Sequence, residues 1–209
     1  MSNLTTSAAA RTPSRGDRAG IVAFMAAGIG IIIFALTAAV LRIVDTLTST
    51  SVSVLAEFAG TPAQAPIGAG GALVEVELDR AVLSTTELPM ASLVSLLVSD
   101  IVAALTIALV VACLLALSVS VLRGVIFSRR NTRLVAAASY IGLVGAAATV
   151  FFANMAAHGA FAAISNGDFD NVIMTIDLFP YVIAAFIVAL ITTAFSVGER
   201  LQRETAGLV

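Results

Sequence analysis

An all-α membrane protein, a four-transmembrane-helix bundle with a small β-hairpin in its first extracytoplasmic loop, is the fold the sequence predicts. Three observations predict it. Four charge-free stretches, 19–41, 101–122, 134–157 and 178–198, run for 23, 22, 24 and 21 residues. About 20 apolar residues in a helix cover the roughly 30 Å hydrocarbon core of a bilayer, and a helix satisfies every backbone donor and acceptor internally where no water can. The chain is 59% hydrophobic and only 11% charged, with a mean hydropathy of +1.05, whereas soluble domains carry about a quarter charged residues. The eleven basic residues, all arginine, divide nine to two between alternate connecting segments.

In chain order, residues 1–18 form a cytoplasmic tail whose Arg11, Arg15 and Arg18 precede the first span, 19–41. That span is too long for a signal peptide, and no small-residue cleavage site follows it. The outer segment 42–100 holds two stretches of period-two character, Ser51 to Leu55 and Leu73 to Leu78, separated by a linker rich in Pro, Gly and Ala; together they predict the hairpin. Val74, Val76 and Leu78 face one way and Glu75 and Glu77 the other, so one face rests on the bundle or on a partner, because a lone hairpin is marginal in water. Spans 101–122 and 134–157 flank a cytoplasmic loop, 123–133, which contains Arg123, Arg129, Arg130 and Arg133. A second outer loop, 158–177, leads into span 178–198, and a cytoplasmic tail, 199–209, carries Arg200 and Arg203. The nine arginines of the tails and the inner loop mark the cytoplasmic side. The outer segments hold only Arg42 and Arg80, with ten of the thirteen acidic residues. Ser128 is placed to cap the helix that begins at Arg129, and Asp177 the helix that contains Pro180, whose missing N–H costs nothing in a first turn.

Small residues suggest how the spans pack. Ala104, Ala108, Ala112, Ala116 and Ser120 recur every four residues in the second span, as do Ala138, Gly142 and Ala146 in the third, and the first offers Ala26 and Gly30. Such rows permit close helix approach, which predicts a compact antiparallel bundle and offers a surface for homo-oligomers.

Function classes narrow mostly by exclusion. Ion-coupled transport usually requires ionisable side chains deep in the membrane, at about 2.5–3.5 kcal/mol each on insertion scales. The spans offer only mild polar residues such as Thr37, Thr106, Ser118, Thr149, Thr192 and Thr193. Near the outer boundary, Arg42, Asp100, Asn154, His158 and Asp177 are expected to converge at the bundle mouth. There they form an Arg42–Asp100 ion pair with interfacial side chains around it; one histidine without a second spaced ligand is a weak metal signal. Cys113 stands alone, which excludes a disulfide framework. Four loop arginines without an aromatic platform do not suggest direct nucleic-acid binding, and no paired acid and base or nucleophile suggests an enzyme or a cofactor. The basic loop is expected to contact anionic membrane lipid at about 1 kcal/mol per arginine. The mixed-charge tail lies beside it. All-arginine basic usage and abundant alanine associate the chain with a GC-rich bacterial genome.

Two cytoplasmic segments carry a likeness. Gly124, Phe127, Ser128, Asn131 and Leu134 in the loop, and Ala194, Phe195, Gly198, Leu201 and Glu204 at the end, make the chain resemble a domain-of-unknown-function family of bacterial four-span membrane proteins, the group that includes YoaS-like proteins. The closing Gly207, Leu208 and Val209 depart from the more polar ending of some members. The resemblance implies an unassigned membrane protein, often encoded beside a small helix-turn-helix regulator, and no catalytic residues. The expectation is therefore a non-enzymatic protein of the bacterial inner membrane with both ends cytoplasmic. It would tether or sense for a cytoplasmic regulator through Arg123, Phe127, Ser128, Arg129, Arg130, Asn131, Arg133, Glu199, Arg200 and Arg203. The alternative is a permease subunit or small-solute channel formed by an oligomer.

Overall fold

A computed structural model describes residues 15–125, 127–169 and 178–206. Four long helices dominate it: α1 (Arg15–Thr48), α2 (Met90–Leu122), α3 (Arg129–Ser165) and α4 (Leu178–Ala206). All four are long and apolar enough to cross a membrane. Between α1 and α2 an antiparallel pair, β1 (Val52–Ala65) and β2 (Val74–Thr85), forms a two-stranded sheet.

The helices outrun the charge-free stretches, chiefly at one end. Helix α1 continues past Arg42 to Thr48, α2 starts at Met90 rather than near residue 101, and α3 runs on to Ser165. Charged residues limit what can sit in lipid, but they do not stop a helix whose backbone bonds continue. At roughly 1.5 Å per residue the helices are about 44–56 Å long, well beyond a hydrocarbon core of roughly 30 Å. The surplus at one end builds a further layer with the hairpin. There Ala156, Ala157, Ala160 and Phe161 of α3 are buried against Val54 and Ala56 of β1, with Val52, Phe58, Leu83, Leu88 and Leu96 around them. The last residues of the third charge-free stretch are therefore apolar because protein covers them.

The hairpin is far longer than the period-two stretches suggest, and its register differs. Ser51 to Leu55 does not meet Leu73 to Leu78: Val52 lies opposite Thr85 and Leu55 opposite Val82, while Leu78 pairs with Thr61. The cause is an irregularity between Glu57 and Thr61, where four steps along β1 match two along β2. Gly60 sits there at φ 64°, a left-handed conformation that glycine adopts without steric cost. The inward positions pass from Val52, Val54 and Ala56 before the irregularity, the last two buried, to the half-buried Thr61, Ala63 and Ala65 after it. The alternation therefore changes phase inside what reads as linker.

The helices do not close into the compact bundle expected. Among the described residues, α2 packs extensively on α3, α1 chiefly on α2, and α4 chiefly on α3. The result is an open row in sequence order. The seams also depart from the four-residue ridges. Helix α2 meets α3 along Ser92, Ser99 and Thr106: a Cβ on Gly159 would collide with Ser92, one on Gly145 with Thr106, and the Ser99 hydroxyl donates to the Thr149 carbonyl at 3.0 Å. These seam residues recur every seven positions, and Cys113 and Ser120 continue the same spacing. Seven residues nearly complete two turns, whereas a row of four-residue steps advances about 40° each time and winds off the contact face. Hence Ala104 is buried, Ala108 and Ala116 are half-buried, and Ala112 is exposed. On α1 the close approach is at Gly28, where a Cβ would lie 2.9 Å from Leu115, and both Ala26 and Gly30 are exposed.

Candidate functional site

Local signals hold the connection between α2 and α3 at both of its ends. Helix α2 ends in a Schellman closure: Gly124 N–H donates to the Val121 carbonyl at 2.9 Å and Val125 N–H to the Ser120 carbonyl at 3.1 Å, with Gly124 at φ 77°. Five residues on, Ser128 caps α3 by accepting from the Asn131 N–H at 3.2 Å. The fully buried Asn131 donates through Nδ2 to the Val125 carbonyl at 2.8 Å, which ties the start of α3 back to the stop of α2.

Helix α4 then clamps the loop from the side. The Phe127 ring stacks edge-on to Phe195 at 5.6 Å and covers Gly198, where a Cβ would lie 2.5 Å from the ring. The Thr132 hydroxyl donates to Glu199 Oε2 at 2.9 Å, with the Ser128 carbonyl 3.1 Å away as an alternate acceptor, and Arg129 Nε lies 3.7 Å from Glu199 Oε1. Glu199 is largely sheltered, with a side chain 14% exposed, so this contact resembles a partly buried charge-assisted bond more than a surface pair. Arg200 is held by Glu204 at 2.9 Å within α4. The two separate segments Gly124–Leu134 and Ala194–Glu204 thus form one interlocked corner. On it Arg123, Arg130 and Arg133 are exposed and make no ion pair among the described residues. The side chain of Arg203 lies outside the described residues.

Toward the hairpin end the structure brings together part of the expected polar group. Arg42 Nη1 lies 3.3 Å from Asp100 Oδ1, and the Ser99–Thr149 bond sets this pair beside the α3 residues near 149. No hydrogen bond or ion pair among the described residues joins Asn154 or His158 to them; both sit farther along α3 and are half-buried. Helix α3 carries both residues on toward Ser165 instead of ending near them. Asp177, and with it the expected cap of α4, falls outside the described residues; Pro180 lies in the first turn of α4 as expected. A second ion pair, Arg80 with Glu57 at 2.6 Å, lies on the hairpin. It stands at the rim of a cleft of about 640 Å³ between α3 and α4, lined in part by Ala138, Gly142 and Ala146. Those three residues were expected at a tight helix seam. A Cβ on Gly142 would come within van der Waals distance of Val110 of α2, and Ala138 is buried, but Ala146 is exposed.

Sequence reasoning missed Gly28, Gly145 and Gly159 as contact points, and the Arg80–Glu57 pair. Seven-residue spacing of Ser92, Ser99, Thr106, Cys113 and Ser120 was the available signal for the α2–α3 seam. The ion pair spans strands whose register the irregularity hides.

The architecture defines a class: a mostly helical chain with four helices long and apolar enough to span a membrane, a two-stranded hairpin over one end and a clamped basic corner at the other. Compared with known protein families, with curated proteins and with solved structures, the chain matches none.

Proposed function

We propose that the chain is a non-enzymatic integral protein of the bacterial inner membrane, with both termini and the α2–α3 loop in the cytoplasm, that docks a cytoplasmic regulatory protein on the basic corner. The observation that carries this reading is the pairing of rigidity with free charge. Arg123, Arg130 and Arg133 are exposed and unpaired among the described residues, at the end of α2 and the start of α3, a corner fixed by Phe127, Asn131 and Glu199. Orientation in the membrane and contact with anionic lipid need only flexible positive charge. A preorganised arrangement adds the ability to select one partner surface, since the ordering cost is met before binding.

The test is affinity capture from mild detergent with wild type and with Arg123, Arg130 and Arg133 all replaced by alanine. A soluble partner present with the first and lost with the second supports the proposal; recovery of lipid alone removes it. Reporter fusions at the two termini must report the same compartment, and opposite compartments would overturn the topology. Solute flux through reconstituted liposomes would instead favour the permease or channel reading.

A further inference from the structure

The cleft of about 640 Å³ between α3 and α4 is unfilled, and its position suggests an occupant. Its walls are apolar along Ala138, Gly142, Ala146 and Val150 of α3 and Ala184 and Val188 of α4. Ala138 and Val150 are twelve residues apart, roughly 18 Å of helix, close to the ~15 Å depth of one leaflet of the hydrocarbon core. Its outer end stands level with the Arg42–Asp100 pair, because Thr149 bonds Ser99 and Val150 lines the cleft. At that end the hairpin sets Arg80 and Glu57, beside Pro180 and Tyr181. Arg80 bonds only Glu57 among the described residues, and its side chain is 69% exposed, so further guanidinium donors face outward.

We infer that this cleft holds one acyl chain of a phospholipid whose headgroup carries both a phosphate and a primary ammonium, as in phosphatidylethanolamine. The phosphate lies against Arg80 and the ammonium toward Glu57. The rim presents one cation and one anion side by side. An anionic headgroup would satisfy Arg80 but meet the Glu57 carboxylate. A choline headgroup has the right charges but no N–H to donate. A phosphoethanolamine headgroup complements both, its phosphate facing Arg80 and its ammonium N–H groups donating toward Glu57. The inference rests on the membrane reading proposed above.

The chain has no tryptophan and two tyrosines, of which Tyr140 is exposed and Tyr181 lines the cleft. In Tyr140→Phe, Tyr181 becomes the sole tyrosine and reports the cleft by fluorescence. The full chain is placed in phosphatidylcholine nanodiscs containing increasing fractions of acyl-brominated phosphatidylethanolamine, phosphatidylcholine or phosphatidylglycerol as quencher. Quenching is expected at about fivefold lower mole fraction of the ethanolamine lipid than of the choline lipid, equivalent to about 1 kcal/mol. Adding Ala146→Leu, which fills the cleft from an exposed position, should abolish that preference. Arg80→Gln, which leaves the helices untouched, should bring the ethanolamine and choline curves together. Superimposed curves for all three lipids in Tyr140→Phe, a preference for phosphatidylglycerol, or a preference surviving both added substitutions would overturn the site while leaving the membrane reading standing. Tyr181 unquenched by any brominated lipid would remove both.

Discussion

Replacing Phe161 by alanine should unfasten the hairpin without unfolding the helices. Phe161 is 7% exposed and stacks edge-on to Phe58 at 5.0 Å, with Phe169 at 5.4 Å on another side. Truncating a buried phenylalanine costs about 3–5 kcal/mol through lost transfer energy and the cavity left behind. A two-stranded sheet has little stability of its own, so this loss falls on the docking of β1 and β2 to α3. At 1.4 kcal/mol per factor of ten, hydrogen exchange in 52–65 and 74–85 should accelerate by roughly a hundredfold to a few thousandfold. The α2–α3 seam around Thr106 and Gly145 lies several turns away and should keep its protection. Phe161→Leu, which retains most of the volume, should cost only about 1–1.5 kcal/mol. The assay is hydrogen–deuterium exchange read by mass spectrometry on protein in nanodiscs. Unchanged hairpin protection in Phe161→Ala would show that the cluster around Phe161 does not hold the strands, and protection lost equally in α2 would show that hairpin and helices unfold as one unit.

Three further outcomes follow from the geometry. Gly145→Ala drives a methyl group into Thr106 and should destabilise by about 1–3 kcal/mol, whereas Gly30→Ala meets nothing and should be neutral or stabilising by up to about 1 kcal/mol; thermal unfolding in detergent must rank them in that order. Ser128→Ala removes the cap of α3 and should cost about 1 kcal/mol, with faster amide exchange confined to the first turn, Arg129–Arg133. Asp100→Asn breaks a pair whose Arg42 side chain is 74% exposed, so the loss should be under about 1 kcal/mol; a drop in melting temperature larger than that of Ser128→Ala would contradict this.

Which parts were legible depended on whether the signal was summed or local. The four apolar helices are readable because twenty or more residues each vote the same way, and the cap at Ser128 because one side-chain oxygen three residues ahead of a receptive N–H suffices. The extent of the helices was hidden because Arg42 and Asp100 interrupt hydropathy without interrupting backbone bonding. The hairpin's length was hidden at Glu57–Thr61, where extra residues break the alternation. Packing was misjudged because four-residue rows of alanine are conspicuous in an alanine-rich chain, while the seven-residue series from Ser92 to Ser120 mixes Ser, Thr and Cys and so looks like no pattern at all. The contact between the α2–α3 connection and α4 was foreseen only as proximity. That Glu199 joins both Arg129 and Thr132 depends on the rotation of α4, which its own sequence does not set.

Because each helix leans mainly on its neighbour in sequence, the chain can be put together in the order in which it is synthesised. The α2–α3 and α3–α4 pairings close short connections, which close fast, while α1 meets α2 across the hairpin. The longest wait is that of β1 for α3, where Val54 and Ala56 must wait about a hundred residues for Ala160 and Phe161. The hairpin is made early and fastened late. A nascent chain halted before α3 would therefore carry finished strands with an uncovered apolar face, the stage at which premature association between copies is most favoured.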